Sequence, residues 1–170
     1  LIDLSHLGLI SVSGEDAETF LQGQVINDVR NITDNCFQIS ACCTPKGRML
    51  ANFMAFRHQQ EIVLQLPRDT QQILLKRLPM FILMSRVKVT DASDRLVSIG
   101  LLGSNAQTLL QTHFSQVPAK AWGAIQESGF TLLRHPGETQ RIEIIGEPAA
   151  MMDLWEKLAQ SAIPSGSEQW

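Results

Sequence analysis

The sequence predicts an α+β fold in two domains, residues 1–92 and residues 93–170. In the first part, a turn between two strand-like segments indicates an antiparallel hairpin. In the second part, strand-like and helix-like segments follow one another, and the polar run DASD at residues 91–94 separates the two parts. A chain of this length has room for one large domain or two small ones, because domains run to about 100 to 150 residues.

The first predicted element is a helix that begins near Glu15. Ser13 and Asp16 have the spacing of a capping box, with Asp in place of the usual Glu or Gln. Apolar residues follow at helical intervals. Gly23 is expected to weaken or end this helix, because glycine is a poor helix former.

A β-hairpin follows. Segments 37–43 and 49–57 carry the β-branched, aromatic and alternating residues that are typical of strands. Between them, Pro45 presets φ for the second position of a turn, and Gly47 supplies a positive φ that other residues resist. We therefore expect the chain to reverse at TPKGR.

Two cations, Lys46 and Arg48, flank the glycine at the tip of this hairpin. Such a tip can hold a carboxylate or a phosphate with help from exposed backbone N–H groups. It can equally be a solvated turn without a ligand, because surface loops are rich in charged residues. The residues alone leave both interpretations open.

The first domain is completed by a strand at residues 61–66, a helix at residues 70–78 and a strand at residues 86–90. Asp69 is expected to cap the helix and Pro79 to stop it.

The second domain is predicted to run strand, helix, strand, strand, helix, at residues 96–102, 104–114, 130–135, 141–146 and 149–160. This order matches the ferredoxin-like arrangement with its last strand missing or beyond the end of the chain. The final helix carries an apolar stripe that includes Trp155, for which core packing is expected.

Composition excludes several classes of protein. The chain is 44% hydrophobic and 18% charged with a net charge of −3, which is typical of a globular protein and disfavours binding dominated by nucleic-acid phosphates. No apolar run approaches the roughly 20 residues of a membrane helix, and the amino end lacks signal-peptide features. Three cysteines do not form a secreted disulfide framework, so a cytoplasmic location is expected. The first residue is not methionine, which suggests part of a longer gene product.

No motif in the residues themselves predicts catalysis or metal binding. Cys42 and Cys43 are adjacent, whereas zinc ligands normally keep two to four residues between them, so buried apolar thiols on opposite faces of a strand are expected. The histidines are dispersed along the chain, at His6, His58, His113 and His135.

A resemblance to a known family goes further. The segments SGEDAETFLQGQVINDV, TPKGRMLANFMAFR and LPMFILMSRVKVTD resemble the YgfZ family of folate-binding proteins, which are linked to iron–sulfur cluster maintenance and tRNA modification. These proteins are relatives of the glycine cleavage T-protein, an aminomethyltransferase. The resemblance implies a T-protein-like folate-binding domain with an antiparallel sheet, a ferredoxin-like second domain and a further barrel domain.

The same resemblance implies a set of ligand contacts for tetrahydrofolate or another folate form. Asn27 and Asp28 lie in the most specific matching segment, and Lys46 and Arg48 are placed to attract the glutamate tail. Trp170 matches a tryptophan that the family uses near its folate site.

The chain departs from the family pattern at several positions. Ala51 and Asn52 stand where the T-protein has two aspartates, so no carboxylate remains there to handle protons. The signature Lys-Gly-Cys-Tyr-x-Gly-Gln-Glu is absent and is expected beyond residue 170, so its cysteine role passes to none of the three cysteines present. A second family aromatic is replaced by Leu7.

Three functions therefore remain under consideration. The first is a folate-binding protein, without turnover, that supports iron–sulfur cluster assembly or repair and tRNA modification, with proteins of those pathways as partners. The alternatives are a T-protein-like aminomethyltransferase and a non-catalytic interaction module whose hairpin docks on a partner. Direct contact with nucleic acid or membrane is not expected.

Overall fold

A computed structural model describes all residues from Leu1 to Trp170 and divides the chain into two compact units. The 6–93 unit comprises His6–Ser93, and the 94–170 unit comprises Asp94–Trp170 together with Leu1–Ser5. The sequence interpretation assigned the first five residues to the first domain. They lie instead with the second unit, because Ile2 and Asp3 pair with a strand of its sheet.

The chain forms ten strands and four α-helices. In chain order they are β1 Ile2–Asp3, β2 Leu7–Ser13, α1 Ala17–Gln22, β3 Gln38–Cys43, β4 Met49–His58, β5 Glu61–Pro67, α2 Arg68–Arg77, β6 Lys88–Asp91, β7 Val97–Leu102, α3 Ala106–Leu110, β8 Ala124–Glu127, β9 Phe130–His135, β10 Arg141–Gly146 and α4 Pro148–Leu158. Three short 3₁₀ helices span Val29–Asn31, Leu78–Phe81 and Ser167–Gln169.

The 6–93 unit is built on a five-stranded antiparallel sheet in the order β3-β4-β5-β2-β6. Its core combines apolar side chains of the strands with those of α1 and α2, such as Phe53, Leu64 and Leu74. Strand β2, which the sequence analysis did not anticipate, lies inside the sheet between β5 and β6.

The predicted hairpin is confirmed. Strands β3 and β4 pair antiparallel with a register shift between Cys42 and Cys43, and Gly47 has φ of +77° in the turn. Cys42 is buried in the core as expected, whereas Cys43 is only half-buried.

Helix α1 begins at Ala17, two residues later than predicted from Glu15. The capping box does not form, because Ser13 is the last residue of β2. Asp16 is the N-cap residue but makes no side-chain cap; its carboxylate accepts the backbone N–H of Arg86 at 2.7 Å instead. A long-range hydrogen bond therefore replaces the expected local one.

The other helix boundaries of this unit agree in part with the sequence. Helix α1 ends before Gly23, as predicted. Helix α2 begins earlier than expected, with Pro67 at the N-cap, so Asp69 lies inside the first turn rather than capping it. Pro79 does end the α-helix, and the chain continues as the 3₁₀ helix Leu78–Phe81.

The 94–170 unit contains a second five-stranded sheet, in the order β1-β7-β10-β9-β8, with every neighbouring pair antiparallel. Helices α3 and α4 pack on one face against alternate residues such as Ile99, Ile142 and Ile144. The sequence predicts a ferredoxin-like arrangement whose last strand is missing or lies beyond the end of the chain; in the structure, β1 from the amino end of the chain pairs with β7 at the edge of the sheet.

Two further details differ from expectation in this unit. Strand β8 was not predicted, and α3 is shorter than the predicted 104–114. Trp155 is half-buried at the margin of the core rather than enclosed in it, while Met151, Leu154 and Leu158 of the same helix are buried. Taken together, two antiparallel sheets with helices confirm the predicted α+β class. No helix is long and apolar enough to cross a membrane.

Candidate functional site

The hairpin tip presents two cations to solvent. Gly47 N–H donates to the carbonyl oxygen of Thr44 at 2.9 Å, and Thr44 N–H donates to the carbonyl oxygen of Arg48 at 2.8 Å. The turn is further fixed by the Arg48 N–H, which donates to the Thr44 hydroxyl oxygen at 3.1 Å. Lys46 and Arg48 are exposed, as predicted, and neither forms an ion pair with a carboxylate. Both charges are therefore available to an anion.

Asn27 lies beside the edge strand β3, and its hydrogen bonds hold the loop that precedes β3 against that strand. Its side-chain Nδ2 donates to the carbonyl oxygen of Ile39 at 2.6 Å, and its backbone N–H donates to the Ser40 hydroxyl oxygen at 3.3 Å. Next to it, Ile26 N–H donates to the carbonyl oxygen of Ala41 at 3.0 Å. The structure thus gives Asn27 a local role that needs no ligand.

Asp28 is also engaged locally. Its carboxylate caps the 3₁₀ helix Val29–Asn31 and forms an ion pair with Arg30, in which Nη2 donates to Oδ2 at 2.7 Å. The side-chain hydrogen bonds from Arg30, followed by the backbone N–H of the same residue, hold the pKa of Asp28 below its usual value. Asp28 is therefore a half-buried carboxylate that already has a cationic partner.

The predicted contacts do not all come together in one unit. Asn27 meets β3 at Ile39 and Ser40, about 13–17 Å along the strand from Thr44 at the start of the hairpin turn, at roughly 3.3 Å per residue. Trp170 belongs to the 94–170 unit.

Trp170 is held by several interactions of the 94–170 unit. Arg141 Nη1 donates to the Trp170 carbonyl oxygen at 3.0 Å, and its guanidinium carbon lies 6.0 Å from the indole centroid. The ring of His135 meets the indole edge to face, with centroids 5.1 Å apart and planes at 79°. On its other side the indole lies against Gly100: a Cβ built there would be 2.5 Å from Trp170 Cζ3. Trp170 is half-buried.

A buried carboxylate contacts the His135 ring that packs against Trp170. Glu143 is completely buried, and its Oε2 lies 2.9 Å from His135 Nε2. In the sheet, Glu143 is directly opposite Gly100 on β7 and Leu133 on β9, so it shares a face with both. A buried polar side chain requires a hydrogen-bond partner, and the His135 ring provides one for Glu143.

These supporting residues were not predicted from the sequence. Strand β10, RIEIIG, was recognised from its alternation, but charged residues at its first and third positions, Arg141 and Glu143, are unusual in a strand that is otherwise apolar. That pattern was a usable signal of a polar sheet face. The contribution of Gly100 and His135 depends on strand register, which the sequence does not show.

A buried polar cluster lies at Gln71 in the 6–93 unit. Its amide Nε2 donates to the carbonyl oxygen of Leu9, to Asp91 Oδ1 at 2.8 Å and to the Ser93 hydroxyl oxygen at 2.9 Å. Burial of Asp91 opposes its ionisation, but hydrogen bonds from Ser93 and Gln71 outweigh that effect and keep the pKa of Asp91 below its usual value. This cluster joins α2, β2 and the end of β6, and its groups satisfy one another.

The positions that carry aspartates in the T-protein have different environments here. Ala51 is buried in the core, whereas Asn52 is exposed on the opposite face of β4. No group of three or more His, Cys, Asp or Glu side chains is arranged to hold a metal ion.

Comparison with known sequences gives consistent matches along the chain. A profile of the GCVT N-terminal domain matches residues 1–166. The tRNA-modifying protein YgfZ of Colwellia psychrerythraea is 35% identical over 159 residues, which cover 94% of this chain and 49% of that protein. YgfZ of Escherichia coli O157:H7 is 31% identical over 172 residues, covering 100% of this chain and 52% of that protein. The chain thus spans about half the length of the curated relatives it matches.

Solved structures show the same fold. Aminomethyltransferase T of the glycine cleavage system from Bartonella henselae matches with a TM-score of 0.81 at 18% identity, covering 97% of this chain and 46% of that chain. Heterotetrameric sarcosine oxidase from Corynebacterium sp. U-96, solved with pyrrole 2-carboxylate, matches with a TM-score of 0.64 at 15% identity, covering 92% and 79%. The predicted T-protein-like fold and the resemblance to YgfZ proteins are confirmed.

Proposed function

The chain belongs to the GCVT N-terminal domain family, and we propose that it is part of a YgfZ-type protein that binds tetrahydrofolate. In this proposal the complete protein supports iron–sulfur cluster assembly or repair and tRNA modification. The observation that carries the proposal is the identity of 31–35% with proteins named tRNA-modifying protein YgfZ, across 94–100% of this chain.

We further propose Trp170 as the contact for the flat pterin ring of folate. The indole is half-buried, so part of its surface remains accessible. Neighbours on three strands fix its orientation. Offset stacking of an aromatic ring on an indole contributes about 0.5–1.5 kcal/mol beyond the burial of area. An ordered ring is stabilising for binding because less conformational entropy is lost when the ligand stacks on it.

Lys46 and Arg48 are proposed as contacts for the carboxylates of the glutamate tail, since both cations are exposed and lack a carboxylate partner. For Asn27 and Asp28 the local hydrogen bonds support a structural role, in which they hold the loop against β3, in addition to any contact with the ligand.

The proposal does not include aminomethyl transfer. At the positions matched to the T-protein aspartates, Ala51 has no ionisable group and the Asn52 amide has no useful basicity near neutral pH. The likeness to aminomethyltransferase T, at 18% identity, supports the fold and not the reaction.

Binding is tested by titrating the complete protein with tetrahydrofolate, by calorimetry and by tryptophan fluorescence. The ligand is expected to quench the emission, and Trp170→Phe is expected to remove most of that quenching and to weaken binding. Trp122→Phe is the matched control and is expected to retain both quenching and affinity. A wild-type protein that shows neither heat of binding nor quenching would contradict the proposal.

The link to tRNA is tested separately in cells. Deletion of the gene is expected to lower the level of tRNA nucleosides whose synthesis depends on iron–sulfur enzymes, measured by mass spectrometry of digested tRNA. Restoration by the wild-type gene but not by Trp170→Phe would connect that effect to folate binding. Unchanged nucleoside levels in the deletion strain would remove this part of the proposal.

A further inference from the structure

Gly100 is a glycine for reasons of space. It lies within β7. Glycine weakens a strand because its backbone loses more conformational entropy on folding than that of other residues, and because it contributes no side chain to packing. Its φ is not in the left-handed region, so its backbone conformation does not require glycine. What requires it is the indole of Trp170, since Cζ3, Cε3 and Cη2 lie 2.5, 2.6 and 3.1 Å from the place of a Cβ. The indole occupies the space that a side chain at residue 100 would fill.

The Arg141 side chain restrains Trp170 by a hydrogen bond to the Trp170 main chain. One guanidinium nitrogen donates to the Trp170 carbonyl oxygen at 3.0 Å, and the other donates to the carbonyl oxygen of Pro136 at 2.6 Å. The Arg141 side chain thus bridges the last residue and the β9–β10 turn. Because its head group is held at both ends, it restrains the position at which Trp170 leaves the 3₁₀ helix Ser167–Gln169.

His135, together with Glu143, contacts the indole from a third direction. The His135 imidazole is oriented by the wholly buried Glu143 carboxylate at 2.9 Å, and its edge-to-face contact with the indole has the geometry preferred by aromatic pairs. A rotation of the imidazole would break its contact with the carboxylate, so the pair resists tilting of the indole.

We infer that Gly100, Arg141 and the His135–Glu143 pair are positioning residues that hold the Trp170 ring in the orientation in which it stacks on the flat heteroaromatic ring of its ligand. This inference rests on the proposed role of Trp170 in folate binding. Each of these residues acts through Trp170 rather than by touching the ligand, and that property separates the inference from a merely structural role.

The test uses the complete protein with Trp122→Phe and Trp155→Phe, which leaves Trp170 as the only tryptophan of the three in this chain. Gly100→Ala is expected to shift the emission maximum of Trp170 without any ligand, because the ring can no longer lie on β7. It is also expected to weaken tetrahydrofolate binding by about 2- to 12-fold, the range that corresponds to loss of one aromatic stacking contact.

A matched control is available in the same sheet. At Gly146 a Cβ would lie 2.8 Å from Phe130 Cδ1 and 3.2 Å from Met151 Sδ, so Gly146→Ala introduces similar crowding away from Trp170. This variant is expected to lose stability but to keep both the emission maximum and the affinity for tetrahydrofolate. If Gly100→Ala does not fold, Arg141→Gln provides the same two measurements, because it removes the hydrogen bond to the Trp170 carbonyl oxygen.

A double-mutant cycle with Trp170→Phe, in the otherwise wild-type protein, decides whether Gly100 acts through the indole. The inference expects Gly100→Ala to add little to the effect of Trp170→Phe, and an undiminished effect in that background overturns it. If Trp170→Phe itself leaves the affinity unchanged, the proposed ligand contact is wrong. The emission shift of Gly100→Ala then still tests the positioning, and an unchanged emission maximum refutes it.

Discussion

Neutralising the hairpin tip separates ligand binding from folding. In the double variant Lys46→Ala with Arg48→Ala, both changed side chains are exposed, neither pairs with a carboxylate, and no other group lies within 4 Å of a Cβ built at the intervening Gly47. Exposed substitutions away from special features change stability by about 0.5 kcal/mol or less each. We therefore expect a total loss below about 1 kcal/mol in the free energy of unfolding.

The expected loss in binding follows from the same exposure. Two unit charges about 4 Å apart in water attract by about 1 kcal/mol, so two cations contribute about 2 kcal/mol, or about 30-fold in Kd. Because the charges are solvent-exposed, this contribution should shrink as salt rises and the Debye length falls below about 8 Å. A triglutamyl tetrahydrofolate should show a larger effect than the monoglutamyl form.

Calorimetry with both folate forms at low and high salt measures this effect, and urea denaturation measures stability. Lys76→Ala, which removes an exposed cation from α2, is the matched control and should leave Kd unchanged. Wild-type affinity of the double variant for both forms at low salt would show that the tip does not contact the ligand. A loss of several kcal/mol in stability would instead refute the assignment of these residues to a solvated turn.

Three other expectations can be checked directly. The complete protein should show no aminomethyltransferase activity with glycine cleavage partners, since Ala51 and Asn52 provide no carboxylate, and robust turnover would contradict this. Gly47→Ala should lower the free energy of unfolding by about 1 kcal/mol because φ is +77°, whereas Gly23→Ala, at φ of −81°, should cause no such loss. Because the pKa of Asp91 is lowered by folding, its contribution is present above the usual value of 3.8 and is lost as pH falls through the folded-state pKa. Asp91→Asn should therefore be less stable at pH 7 and lose less stability on acidification, as measured by urea denaturation from pH 7 to pH 3; an unchanged acid dependence would argue against this.

Local chemistry explains which elements the sequence predicted. The β3–β4 hairpin is encoded by Pro45 and Gly47, whose backbone preferences act within a few residues of the turn. Strand β8 had a comparable signal that was overlooked. Ser128 and Gly129 both have positive φ, at 52° and 86°, and a Ser-Gly pair before a strand is a recognised turn signal.

Strands β1 and β2 lacked such signals. Nearly every residue of β2 is buried, and Leu7–Ser13 alternates between apolar and polar residues only over its last four positions, which is too short a pattern to mark the whole strand. Strand β1 is only two residues long, and its partners Ile99 and Gly100 are almost a hundred positions away. Pairing over that distance is not marked by any local pattern at residues 2–3.

The residues around Trp170 were likewise not predictable from local sequence patterns. Trp170 was nominated by resemblance, but its neighbours come from β7, β9 and β10, and only the register of those strands brings them together. Strand register is fixed by the burial of a whole face, because a shift of one residue would turn every side chain to the other side. The positions that hold the indole are therefore specified by the core and not by a motif.

Strand β10 illustrates how the core specifies the site. Ile142 and Ile144 face the helices, while Arg141 and Glu143 alternate with them and face the side on which Trp170 lies. Burying the two isoleucines against α3 and α4 fixes the register, and that register sets Glu143 opposite Gly100 and Arg141 opposite His135. Apolar exchanges on the helix-covered face can repack without altering this pattern, whereas a change at any of the polar positions or at Gly100 alters the support of the indole directly. Differences in ligand binding among proteins of this fold should therefore arise on the polar face of the sheet.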